Sequence, residues 1–277
     1  MDTEFCKNYN SLEELLLDPS PPFELAALLI ARDAYPQLSI TEYMRQLDEL
    51  AAPLRGQGIA SADPQHQAEL IAHYLHNDLG FCSDNKNSFD TGGCYLNEVL
   101  DRRIGNPIML STIWIAIGRR LDVKIVGLGL PGYFLVRVGD IEPQHVDPSQ
   151  NGKLLTIEDV NEICSPFGGT RTRLSVESLA PASTREMTIR LLLILKELCR
   201  KEPNHSRGLF VCDNLFIMTE DIAIRRDRGF HALNLRAGNL ALEDFRAYVK
   251  KRPFASDTGA IKNIIEQLEH KGLASPQ

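Results

Sequence analysis

Residues 107–121, PIMLSTIWIAIGRRL, constrain the fold more than any other stretch of the chain. A proline suits the first turn of a helix, where no backbone donor is needed. Behind it Ile108, Met109, Leu110, Ile113, Trp114, Ile115, Ile117 and Leu121 fall on nearly every side of the helical period. A helix apolar all round must lie at the centre of its domain, because it has no face to give to water. Arg119 and Arg120 occupy its last turn, where positive charge suits the helix dipole.

The segments before it read as helices. Leu12–Leu17 is a short apolar run, and Phe23–Arg32 starts behind prolines. Thr41 opens a stretch with Tyr43, Met44, Leu47, Leu50 and Leu54 near helical spacing. His66–Leu79 is a further helix; its histidines, His66, His73 and His76, read as surface polar residues because no third ligand stands at a fixed spacing. Cys82–Gly93 reads as a loop, and Tyr95–Ile104 as a helix stopped by Gly105. After Lys124 the period changes. KIVGLGL and YFLVRV read as adjacent strands, Glu142–Val146 as a third, and Leu154 onward as a loop and a brief helix, Thr156–Ile163. Residues 164–183, with Pro166, Gly168, Gly169, Pro181 and Ser183, suggest a boundary, and everything beyond is helical, in pairs that suggest stacked hairpins. The expected organisation is an N-terminal helical extension over 1–64, a core over 65–180 and a helical tail over 181–277.

The chain has 277 residues, 43% hydrophobic and 24% charged, which is ordinary for a soluble globular protein. Its net charge of −7, from 30 basic and 37 acidic residues, argues against a general nucleic-acid surface, though not against a local basic patch. The longest apolar runs, such as Leu191–Leu195, are far short of a membrane span, and the acidic N-terminus does not read as a secretory signal. Cysteines 6, 82, 94, 164, 199 and 212 show no CxxC or Cys-His pairing. A cytoplasmic chain with reduced thiols is expected, with no metal site and no cofactor.

The combination YLNEVLDRRIGNPIMLSTIWIAIGRRL, PGYFLVRV and HVDPSQNGKLL resembles the bacterial SirB-like family. The likeness covers most of residues 65–270; its central motif is specific and its tail looser. The resemblance implies an α+β, helix-rich fold: a transglutaminase- or papain-like core with a small antiparallel sheet, and a tail like tetratricopeptide repeats. It also implies kinship with a Cys-His-Asp arrangement, in which a cysteine at a helix N-terminus is deprotonated by a strand histidine that an aspartate orients. Carried over residue by residue, the cysteine position holds Pro107 and the histidine position Tyr133. Asp147, in Val146-Asp147-Pro148, matches the third member. Proline carries no nucleophile, and a phenol with a pKa near 10 is a poor base at neutral pH.

Other residues are candidates to replace the missing pair. Cys94, in GGC, stands near the start of the helix from Tyr95, where a thiolate is favoured; the plainer reading is a small residue in a glycine turn. His145 shares a strand face with Asp147 and reads either as a displaced base or as a partly exposed strand-end histidine. Ser111, one turn after Pro107, reads as a buried hydroxyl bonded to a preceding carbonyl. Arg102 and Arg103 read as a charged helix surface. Tyr133 is expected to bond Asp147, converting a catalytic pair into a structural one; the alternative is that the two line a binding pocket. The expected function is a pseudoenzyme that binds a protein or peptide through its tail, with no nucleic-acid or membrane partner. A thiol-dependent amidase, acyl transferase or protease built on Cys94 is the alternative, and a purely structural subunit is a third.

Overall fold

The computed structural model describes residues 9–83, 91–130, 132–164 and 180–270. The chain divides into two compact units, Met1–Thr188 and Ile189–Gln277. Most of the glycine- and proline-containing stretch expected to hold a boundary lies outside the described residues.

In the first unit, α1 (Leu12–Leu15), α2 (Phe23–Ala34), α3 (Ile40–Arg55) and α4 (Pro64–Ala72) precede α5 (Leu96–Arg102) and α6 (Pro107–Arg120). Helix α6 is the apolar helix of the sequence, and α2, α3 and α5 pack on it. Asn106 caps it, its Oδ1 accepting from Met109 N at 2.9 Å, with Pro107 in the first turn. Ile108, Met109, Leu110, Ile113, Trp114, Ala116 and Ile117 are all buried. Gly118 permits a close crossing, since a Cβ there would lie 2.6 Å from Ile125 Cγ1.

The arginines at its end do more than suit a dipole. Arg119 Nη1 and Arg120 Nη1 donate to Glu24 Oε1 of α2 at 2.9 and 3.1 Å, and Arg120 Nε donates to Asp48 Oδ1 of α3 at 2.6 Å. The Glu24 and Arg120 side chains are 0% and 2% exposed. The cluster ties three helices together at a depth where removing one charge strands the other.

Helix α5 is shorter than expected. It ends at Arg102 and not at Ile104, and Arg103 behind it takes a left-handed φ of 62°. That conformation is held because Arg103 Nη1 donates to Leu79 O at 2.7 Å and the guanidinium lies over the Phe81 ring. Ile104 is then free of the helix, and β2 (Ile104–Gly105) pairs in parallel with β1 (Cys82–Ser83), within a stretch expected to be loop.

The main sheet is a four-stranded antiparallel meander, β3 (Ile125–Leu130), β4 (Tyr133–Val138), β5 (Gln144–Asp147) and β6 (Lys153–Leu155). The third strand starts later than expected and runs to Asp147. Strand β6, expected as loop, exists because Asn151 and Gly152, with φ of 55° and 71°, turn the chain back onto β5. Leu128, Leu130, Leu135 and Leu155 form one face with Val160 of α7 (Ile157–Cys164), and Tyr133 packs against them.

Helix α8 (Thr184–Lys201) contains the division between the units. The second unit continues with α9 (His205–Thr219), α10 (Ile222–Asn234), α11 (Gly238–Lys251) and α12 (Thr258–His270), each packed on the next. Ala232, Ala241, Phe245, Tyr248, Ile261 and Leu268 form its core. Buried Asp244 binds both Arg225 and Arg228 at 2.7 Å and fixes α10 on α11.

Candidate functional site

The sheet brings Tyr133 and Asp147 together. Tyr133 Oη donates to Asp147 Oδ2 at 2.5 Å, in the pairing expected from the sequence. Asp147 is 0% exposed, yet its carboxylate is fully engaged. Oδ1 accepts from Ser149 N at 2.8 Å and Ser149 Oγ at 2.6 Å, and Oδ2 also accepts from Gln150 Nε2 at 2.8 Å. Gln150 Nε2 lies 3.1 Å from Tyr133 Oη and closes the ring of contacts. The local cause is an aspartate at a strand end followed by Pro-Ser-Gln in a single 3-10 turn, which points three donors back at the carboxylate. Burial, then the bond to Asp147, pushes the Tyr133 phenol above its ordinary pKa. Its hydroxyl is a proton donor held in place against the carboxylate.

Pro107 lies at the N-terminus of α6, and its side chain offers no donor, acceptor or nucleophile. Cys94 is not the cap of α5; that position is Tyr95, because a 3-10 turn over Thr91–Cys94 precedes the helix. The thiol instead lies against the start of α6. Asn106 Nδ2 donates to Cys94 Sγ at 3.2 Å, and Asn106 N donates to Gly93 O at 2.9 Å. Thus one asparagine caps the central helix with its oxygen and holds the sulfur with its nitrogen. Cys94 is 1% exposed.

His145 is not a partly exposed strand-end residue. It is 6% exposed, paired across the sheet with Arg137 and Leu155, and its pKa is pulled down by burial and then by Arg137. Ser111 is buried, but its hydroxyl has no hydrogen-bond partner among the described residues; the bond to a preceding carbonyl is made by its neighbour, Thr112 Oγ1 to Ile108 O at 2.6 Å.

His76 is the residue the sequence reading missed. The sequence places it at the surface with His66 and His73. Helix α4 widens into a π-turn over His73–Asp78, which separates His73 from His76. His73 stays out beside Asp78, whereas His76 is buried. Its Nδ1 lies 2.6 Å from Phe81 O, and Trp114 Nε1 donates to its Nε2 at 3.2 Å. That fixes the neutral tautomer with the proton on Nδ1. Burial lowers its pKa, opposed by the Phe81 carbonyl and by the charge of Asp147. A Cβ on Gly152 would lie 2.8 Å from the His76 ring, so the turn after Asp147 presses directly on this histidine. No spacing signal marks such a residue. Gln150 and Asn106 were more accessible, through the Asp-Pro-Ser and Asn-Pro turn signatures.

Among the described residues, no group of three or more His, Cys, Asp or Glu could hold a metal ion, and no helix is long and apolar enough to cross a membrane.

The pattern of the transglutaminase-like superfamily matches residues 41–193. A UPF0162 protein of Xylella fastidiosa is 29% identical over 92% of this chain and 93% of its own length. A UPF0162 protein of Pseudomonas aeruginosa is 31% identical over 68% of each chain. Protein SirB1 of Salmonella typhimurium is 26% identical over 90% of this chain and 92% of its own. No solved structure matches. With its helix-rich α+β core, small antiparallel sheet and C-terminal helical region, the chain belongs to the SirB1/UPF0162 family of transglutaminase-like proteins.

Proposed function

We propose that this protein is a catalytically degenerate transglutaminase-like protein of the cytoplasm that acts as a regulatory or scaffold module, binding a protein or peptide through its tetratricopeptide-like tail. The observation that carries this reading is the saturation of Asp147. Tyr133, Ser149 and Gln150 supply four hydrogen bonds to its two oxygens, leaving no place for an imidazole to be oriented. Pro107 at the helix start removes the nucleophile as well. Successive helical hairpins supply the kind of surface that receives peptide segments. Affinity capture from native lysate of the source cell, followed by reconstitution with the purified partner, tests the reading. A partner lost when the second unit is altered is expected; recovery of none at all counts against it.

One observation favours a thiol-dependent amidase or acyl transferase: the Asn106 donor on Cys94 Sγ at the start of α6. Rapid, selective labelling of Cys94 by a thiol reagent at mildly acidic pH would support that enzyme. Uniformly slow labelling supports the binder.

A further inference from the structure

We propose that the turn leaving α11, Lys250-Lys251-Arg252-Pro253-Phe254, is a contact point for an anionic lipid surface. Phe254 is 98% exposed. A lone exposed apolar residue is ordinarily unremarked, but this one is held out on a fixed frame. Arg252 O accepts from Thr258 Oγ1 at 2.7 Å, Thr258 N donates to Ala255 O at 3.1 Å, and Tyr248 Oη donates to Asp257 Oδ1 at 2.8 Å. The ring is displayed without an ordering cost to be met on binding.

The charge around it is one-sided. Lys250, Lys251 and Arg252 are all exposed, and among the described residues none makes an ion pair. The one acid of the turn, Asp257, is committed to Arg226 Nη1 at 2.8 Å and to Tyr248. The dipole of α11 accounts for two lysines in its last turn; it does not account for the phenyl ring beyond them. The wider sequence has the same asymmetry. Residues 189–277 carry 15 basic and 11 acidic residues, 15 − 11 = +4, whereas residues 1–188 carry 15 and 26, 15 − 26 = −11. The whole-chain value of −7 conceals a basic second unit.

The shape selects the occupant. A ring almost wholly exposed is a protrusion, so a protein partner would have to bring a pocket that encloses it, while a headgroup layer deforms around it. Cations within a Debye length of an anionic leaflet add to the apolar contact. The arrangement is a weak, reversible contact by the second unit, and not an anchor.

Co-sedimentation of the full chain with vesicles tests this, using phosphatidylcholine alone and with about three-tenths phosphatidylglycerol. Binding is expected only to the anionic vesicles, and it should disappear in about 0.5 M salt. Phe254→Ala should weaken it about 5- to 10-fold, and Lys250→Glu with Lys251→Glu more than about 100-fold, from about 5-fold per cation counted over four charges. Both variants alter only exposed side chains, and unchanged circular dichroism would establish that they fold. Absence of binding to anionic vesicles, or binding that both variants retain, overturns the proposal. So does tighter binding of a single-stranded oligonucleotide through the same residues, which would make the ring a base-stacking platform.

Discussion

Two small polar assemblies, one at the end of β5 and one at the start of α6, differ in what they leave open. At the end of β5, Asp147 is buried and every oxygen lone pair of consequence is taken by Tyr133, Ser149 and Gln150. At the start of α6, Asn106 Nδ2 donates to Cys94 Sγ at 3.2 Å. The first assembly is closed, and its phenol is held above its ordinary pKa by burial and then by the bond to Asp147. The second retains a nucleophilic atom but is shut away from solvent. The comparison teaches that a buried carboxylate can be satisfied entirely by neighbours on its own turn and the adjacent strand, whereas a buried thiol is held by a partner on another element.

The two assemblies respond unequally to substitution. Asp147→Ala removes four bonds and leaves three buried or half-buried donors without an acceptor, so it should cost about 3 kcal/mol or more of stability, measured by urea denaturation. A loss under about 1 kcal/mol would show that the closed ring is incidental. Asn106→Ala removes the cap of the central helix and the donor to Cys94; a loss of about 1–2 kcal/mol is expected. Tyr133→Phe keeps the ring in its apolar cluster and deletes one bond to a carboxylate, with a loss of about 1 kcal/mol. Cys94→Ser should be the mildest, within about 1 kcal/mol, provided the sulfur is a packing atom.

Acidity separates these effects from the background. His76, His145 and His231 all have pKa values pulled down, with burial the largest cause in each. The fold therefore favours their neutral forms, while the unfolded chain takes up protons near pH 6.5. Their contribution to stability is complete above about pH 6.5 and falls as pH drops toward the depressed folded values. Denaturation midpoints measured from about pH 7.5 to 5.5 should fall. Replacing His145 by Gln should flatten that slope. His231 shares an Nδ1···Nδ1 contact of 3.2 Å with His205, so its replacement should flatten the slope as well.

The buried frame was legible where a single period ran long enough to declare itself. The apolar turns of α6 and the change of period at β3 and β4 needed only local physics. The Tyr133–Asp147 bond was legible too, once both residues were set on adjacent strands. What escaped reading depended on distant partners. Arg103 ends α5 because Leu79 and Phe81 hold it, and His76 is buried because a π-turn rotates it toward Trp114. The Arg119 and Arg120 charges looked like a dipole device until Glu24, far earlier in the chain, was seen against them. Strand β6 is three residues long and exists only by pairing with β5, so no window of sequence contains it.

The central claim, that no proton-coupled attack remains at the ancestral positions, is tested most directly by assaying amide, ester and thioester hydrolysis and transfer by the wild type, Cys94→Ala and Tyr133→Phe. No turnover above the blank is expected from any of the three. Turnover by the wild type that survives in Cys94→Ala and vanishes in Tyr133→Phe would contradict the account, since catalysis would then run through the very phenol described here as a fixed donor.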